Sequence, residues 1–201
     1  MHGATLIVGR GLVVSWLLCA SHVASAQEQT WQAIQGRVAV VCPLTVGGRF
    51  EAKTTAVTGR VTTVDGTRHV EGAFVVDLAT LQTGIGLRDV HLRDNYLEVS
   101  RGPGYDTAVL DAIVLDAPLP ARGQSAALGF SGVLTLHGRG NPVTGRADLL
   151  YKGDRLVVKV TFPLRIDAYA IARPAYLGIG VTNQVEVTVR AILDRAATPP
   201  S

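Results

Sequence analysis

The sequence predicts an all-β chain of eight or nine short antiparallel strands, closed into a barrel or paired as a sandwich, with one short helical segment. Three observations carry this. Apolar residues recur with period two in segment after segment, turn-forming residues separate those segments, and only one stretch has a spacing that suits a helix. Closing the sheet would remove the exposed strand edges that invite aggregation, which favours the barrel.

The chain opens with a leader pattern. Met1 to Arg10 carries one arginine, Gly11 to Ala20 is apolar with Leu12, Val13, Val14, Trp16, Leu17 and Leu18, and Ala24-Ser25-Ala26 places small residues where a signal peptidase needs them. The run is too short to span a membrane. Residues 1–26 are therefore expected to be a secretory signal peptide cleaved after Ala26, residues 27–195 a single domain, and 196–201 a loose tail. A lipid anchor on Cys19 is disfavoured, because the large Leu18 precedes it.

Strands are expected at 37–41, 48–56, 57–64 and 70–78, the third and fourth divided by Asp65-Gly66. The helical segment is 87–97, where Leu92 and Tyr96 share a face and Arg88, Asp89 and Asp94 stay wet. Gly102-Pro103-Gly104 leads to a strand at 108–115, and Pro118 to Gly123 leads to 126–136. In that strand Ala126, Leu128, Phe130, Leu134 and Leu136 share a face opposite Ala127, Ser131, Thr135 and His137. A turn at Gly138 to Pro142 precedes 143–151, and Lys152-Gly153-Asp154 is a hairpin tip before 156–162, where Leu156, Val158, Val160 and Phe162 alternate with Val157, Lys159 and Thr161. The last strand runs over 185–193, with Val185, Val187, Val189 and Ala191 on one side.

Without its leader the chain keeps about 175 residues, enough for one domain with a substantial core. Cys42 is then the lone cysteine, so no internal disulfide is expected, and after Val38 to Val41 it reads as a buried small hydrophobe. The formal charge of +3 becomes about +2 without Arg10 and is spread along the chain. That is a solvated surface and not a nucleic-acid footprint.

One stretch concentrates polar chemistry. Leu81 to Leu92 sets Arg88, Asp89 and His91 between apolar flanks, and ionisable groups so placed need water or partners. They read either as a polar rim at a cavity mouth, with Arg88 offering a fork of donors to a phosphate or carbonyl, or as a structural ion pair that pins a loop to the barrel. His69, His91 and His137 lack the spacing of metal ligands, and His69 and His137 look like solvated turn positions, so no metal is expected. Catalysis is not expected either. Gly129-Phe130-Ser131-Gly132 is no nucleophile elbow, no glycine-rich phosphate loop occurs, and a Ser131, His91, Asp89 triad is a coincidence of composition. Nothing in the sequence asks for a cofactor.

Val75-Val-Asp-Leu-Ala-Thr-Leu-Gln-Thr-Gly84 followed by Leu87-Arg-Asp-Val-His-Leu92 resembles the signature of the YceI-like family. Asn95-Tyr-Leu-Glu-Val99, Gly132-Val-Leu-Thr-Leu-His-Gly138 with Asn141-Pro-Val143, and the closing strand from Val185 resemble its later parts. Val40 to Gly48 departs from the family's usual polar opening before the second strand. The resemblance implies a lipocalin-like antiparallel barrel of about eight strands, exported to the periplasm, that holds a polyisoprenoid or related amphiphile, such as a quinone or prenyl phosphate, in an apolar cavity.

Physics is consistent with that implication. An eight-stranded barrel is just wide enough to be filled by its own side chains or to hold one ligand, and with aromatics at only 5% of the chain and Gly, Ala and Val plentiful, small inward residues would leave an apolar void for a chain-like ligand. Phe74, Val76, Leu128, Phe130, Leu134, Leu136, Val158, Val160 and Phe162 are the candidate lining. Encounter with a membrane surface and homodimerisation are the further partner expectations. The competing expectation is an envelope interaction protein with a solidly packed barrel and no lipid cargo.

Overall fold

The computed structural model describes residues 27–176 and 179–196. The expected leader, with its cleavage site after Ala26, and the tail from residue 197 onward lie outside the described residues. In chain order the strands are β1 (Glu28–Pro43), β2 (Arg49–Thr54), β3 (Val57–Val64) and β4 (His69–Asp77), then after helix α1 (Gly86–His91) β5 (Thr107–Leu115), β6 (Ser125–Leu136), β7 (Arg139–Lys152), β8 (Arg155–Arg165), β9 (Ala175–Tyr176), β10 (Ile179–Gly180) and β11 (Gln184–Arg195). All pairings are antiparallel. Strands β3 to β8 follow one another around the sheet, β11 follows β8, and β1 closes the ring by pairing with both β3 and β11. This is a closed eight-stranded barrel; β2 continues the line of β3 and pairs with the second half of β1.

Alternation builds the wall. On β6, Phe130, Leu134 and Leu136 are buried, as are Leu156, Phe162 and Leu164 on β8 and Val185, Val187, Ala191 and Leu193 on β11. Each set occupies every second position, so one side of the pleat faces the axis. The hairpins are tight. His137 and Gly138, both with positive φ (51° and 70°), turn β6 into β7, and Gly153-Asp154 turns β7 into β8.

Two sequence expectations on strand extent are corrected. The first strand begins at Glu28, not residue 37, because a bulge between Ala33 and Gln35 reverses the alternation: Trp31 is buried before it, Val38 after it, and Ile34 is half exposed between them. The turn expected over Gly138 to Pro142 is complete at Gly138, and Arg139 to Pro142 already pair with Leu136 to Val133. The small hairpin β9–β10 had no expected counterpart. Bulges also mark β4 and β5. The β4 bulge requires Gly72, whose φ is 98° and where a Cβ would lie 2.3 Å from the Arg60 carbonyl oxygen.

Candidate functional site

The barrel axis is hollow. A cavity of about 250 Å³ runs through it, and no charged residue is among those that line it. Eight of the nine residues expected to line it do so: Phe74, Val76, Phe130, Leu134, Leu136, Val158, Val160 and Phe162. Leu128 is half-buried and packs against the core without reaching the void. Phe130 and Phe162 meet edge to face at 6.0 Å across β7, where Gly145 leaves them room. Residues that the sequence reading did not single out complete the wall, among them Trp31, Cys42, Phe50, Leu81 and Leu97.

One end is shut by side chains. Trp31 is 1% exposed, donates its indole N–H to Thr63 Oγ1 at 3.1 Å, and packs against the Tyr151 ring at 5.9 Å. Short hairpins, β3–β4 and β7–β8, surround that end.

The other end is shut by two long connections. Between β4 and β5, a 3-10 turn at Leu78–Thr80, α1, a π turn at Leu92–Tyr96 and a 3-10 turn at Val99–Arg101 send Leu81, Leu92, Tyr96 and Leu97 over the opening. Between β8 and β11, Ile171, Pro174 and Val181 do the same. Backbone bonds fasten both to the β1–β2 hairpin. Lys53 and Gln82 exchange N–H donors with their carbonyls at 2.7 and 2.9 Å, and Thr45 N–H donates to Gly180 O at 2.9 Å.

The expected polar knot sits on this cap, and its parts separate. Asp89 is only 9% exposed, a correction to the expectation that it stays wet, because its Oδ1 accepts from the Thr83 N–H at 2.6 Å and from the Thr83 hydroxyl. Those two bonds, the hydroxyl first, hold its carboxyl below the ordinary aspartate value, helped by Arg93 and Arg88 against the cost of burial. Arg88 donates from Nε to Thr83 Oγ1 at 2.9 Å and lays its guanidinium 4.3 Å from the Phe50 ring centre. Thr83 therefore joins Arg88 and Asp89, with Phe50 carrying the contact to the cavity wall. His91 is exposed and takes no part in it.

His137 is the second correction. It was expected in solvent at a turn, yet it is 9% exposed, with Nδ1 3.0 Å from the Tyr169 carbonyl oxygen and Nε2 2.9 Å from Glu98 Oε2. Both partners are acceptors, so only a doubly protonated ring donates to both. Glu98 also accepts from Arg101 at 2.8 Å, which together with His137 holds its carboxyl below the usual glutamate value. The Arg101 guanidinium lies 3.9 Å from the Tyr105 ring centre, and Tyr105 meets His137 edge-on. This cluster ties the β4–β5 connection to the β6–β7 hairpin and to the start of the β8–β11 connection. Cys42 lies on the cavity wall, and burial pushes its thiol up to about 11.

An apolar tube with a polar, hydrogen-bonded cap can hold an extended hydrocarbon, and among the described residues its lining carries no charged side chain. No described group of three His, Cys, Asp or Glu residues could hold a metal.

The fold has solved counterparts. A polyisoprenoid-binding domain from Saccharophagus degradans, implicated in plant cell wall breakdown, is similar over 84% of this chain and 99% of its own, with a TM-score of 0.64 at 15% identity. BcnA of Burkholderia cenocepacia is similar over 81% of this chain and 96% of its own, with a TM-score of 0.61 at 16% identity. At such identities the likeness is one of fold. No curated protein matches the sequence. The YceI-like domain matches residues 30–193, from near the start of β1 to near the end of β11. With the match spanning every strand of the closed barrel and both connections that cap its cavity, the chain belongs to the YceI-like family.

Proposed function

We propose that this protein is a periplasmic carrier that takes one long-chain amphiphile, an isoprenoid quinone or a prenyl phosphate, into the barrel cavity and exchanges it at a membrane surface. The observation that carries the reading is the cavity itself, about 250 Å³ of uncharged wall inside a member of a family whose solved relative is described as polyisoprenoid-binding. The periplasmic address rests on the leader pattern of residues 1–26. Burying about ten methylenes contributes about 8 kcal/mol at about 0.8 each, which by itself corresponds to roughly micromolar affinity, so the several kcal/mol of ordering cost must be offset by headgroup contacts or by a longer buried chain.

The cap supplies the polar end of the site. Thr83 takes two of the Arg88 donor atoms, Nε and Nη2, and Nη1 is left to donate to a phosphate or quinone carbonyl near Phe50. Replacing Arg88 with alanine is expected to weaken headgroup-bearing ligands more than plain prenols, and equal weakening of both would assign Arg88 to the cap alone.

The test is a titration of delipidated protein with prenyl phosphates and short-chain quinones, followed by thermal melting. At a hundredfold excess over Kd a single bound ligand adds about 2.7 kcal/mol, a rise of roughly 5–10 °C for a domain of this size. Inorganic pyrophosphate alone should leave the midpoint where it was. A flat response to every prenyl compound would defeat the carrier reading.

A further inference from the structure

The capped end of the barrel carries an apolar and basic rim that the cavity does not account for. Seven large hydrophobic residues are exposed among those described, and five of them, Val46, Ile85, Leu87, Val90 and Ile179, belong to the three segments at this end. Val46 tips the β1–β2 hairpin at 65% exposed, and Leu87 on α1 is 69% exposed. Helix α1 is inverted relative to an ordinary surface helix: its one carboxylate, Asp89, is buried against Thr83 while Leu87 and Val90 face outward.

The three segments form one rim. Thr45 N–H donates to Gly180 O, which sets Val46 beside Ile179, and Arg88 lies on Phe50 at the start of β2, which sets α1 beside the same hairpin. Each segment pairs its aliphatic tip with arginine: Val46 with Arg49, Leu87 with Arg88 and Arg93, Ile179 with Arg173. Asp89, the one carboxylate of α1, is sequestered. Of the other acids at this end, Glu51, Glu98 and Asp167 are each paired, with Lys53, Arg101 and Arg165, Asp77 caps the 3-10 turn through the Ala79 N–H, Asp94 and Glu186 are exposed, and Asp106 is half-buried. On the three segments themselves Arg49, Arg88, Arg93 and Arg173 stand against Asp89 and Asp94, so the charge left on the rim is positive.

We propose that this rim is a docking surface for an anionic phospholipid bilayer, with Val46, Leu87 and Ile179 entering the headgroup layer and Arg49, Arg93 and Arg173 meeting lipid phosphates. Aliphatic tips on separate loops, each next to an arginine, suit an interface that is apolar below and anionic at its surface. The rim is continuous with the cap over the cavity, through Phe50, Leu81 and Val181, so docking brings the cavity's covered end to the lipid. The proposal stands whether or not the cavity holds a prenyl chain.

Vesicle co-sedimentation tests it, using protein expressed from the whole chain and purified from the envelope. One set of vesicles holds equal parts phosphatidylglycerol and phosphatidylcholine, and the other is pure phosphatidylcholine. The wild type should bind the anionic vesicles, lose that binding as salt is raised, and leave the neutral ones alone. The triple variant Val46→Ser/Leu87→Ser/Ile179→Ser should bind at least tenfold more weakly. The pair Arg49→Gln/Arg173→Gln, whose arginines make no described ion pair, should lose about fivefold per arginine. Melting midpoints and uptake of a detergent-dispersed prenol, measured without vesicles, should stay unchanged in both variants, which separates docking from cargo binding. Absence of wild-type binding to anionic vesicles, or undiminished binding by the serine variant, would overturn the proposal. A wild type that dimerises without lipid while the serine variant is monomeric would also overturn it, assigning the rim to a second copy of the chain.

Discussion

Replacing Ala147 and Ala191 with leucine asks whether the void is real, and the sign of the stability change answers it. Both alanines face the cavity and are almost fully buried, on β7 and β11, paired opposite Val160 and Val158 on the intervening β8. At about 24 cal/mol per Å³, a void of about 250 Å³ represents about 6 kcal/mol of packing that the unliganded protein forgoes. Each leucine adds three carbons, worth about 2.4 kcal/mol at about 0.8 apiece, less about 0.5–1 kcal/mol for freezing the longer side chain. The expected net gain is about 1–2 kcal/mol per site, read as a higher urea midpoint with unchanged slope and a melting midpoint roughly 2–8 °C higher. Prenyl uptake should fall at the same time. In a solidly packed barrel the same substitutions overpack the core and cost about 1–3 kcal/mol each. Destabilisation of both variants, with uptake unaltered, would refute the account of the interior.

Other consequences follow from particular contacts. Gly145→Ala would put a Cβ 2.4 Å from the Thr161 carbonyl oxygen and 2.7 Å from Phe162 Cβ, so a loss of about 1–3 kcal/mol in urea unfolding is expected, and a neutral result would mean the ring contacts over β7 are not as described. Acid should loosen the cap. Asp89 and Glu98 titrate below their ordinary values of 3.8 and 4.5, and Asp167 near 2, so the stability they contribute is complete above about pH 4.5 and is lost as the pH falls through the folded values. Melting midpoints measured from neutral pH down to about pH 2 should decline in that window, less steeply in Asp89→Asn, and a flat profile would deny the cap its carboxylate contacts. Cys42, with its thiol pushed up to about 11, should resist a thiol reagent at neutral pH until the protein unfolds, and rapid native labelling would place it outside the wall. The same shift means its contribution to stability, whole below about pH 9, is lost as the pH rises through about 11.

Much of the wall was legible because its strands alternate without interruption. The inward sets on β6, β8 and β11 follow directly from period two, and the register of β6, β7 and β8 is pinned by hairpins with glycine at the turn. The first strand was half hidden by the bulge at Ile34, which moves the inward positions from Trp31 and Ala33 to Val38 and Val40 and so breaks the pattern a reader follows. Arg88 and Asp89 were visible as a polar knot, but the residue that joins them, Thr83, lies on the loop before the helix and carries no charge to draw attention. His137 was misplaced for a deeper reason. Its partners Glu98 and Tyr169 are 39 and 32 residues away, and only the closed barrel brings both connections to the β6–β7 turn. The apolar rim was equally out of reach, since hydrophobic loop residues read as buried until the fold shows what does not cover them.

The most direct test of the central claim is native mass spectrometry of the protein expressed from the whole chain and purified without added lipid, with solvent extraction and identification of any mass released. The account predicts one amphiphile with a prenyl chain per barrel, lost in the doubly leucine-substituted variant. A clean ligand-free mass that takes up neither isoprenoid quinone nor prenyl phosphate would contradict it, and would leave a barrel that acts through its surface.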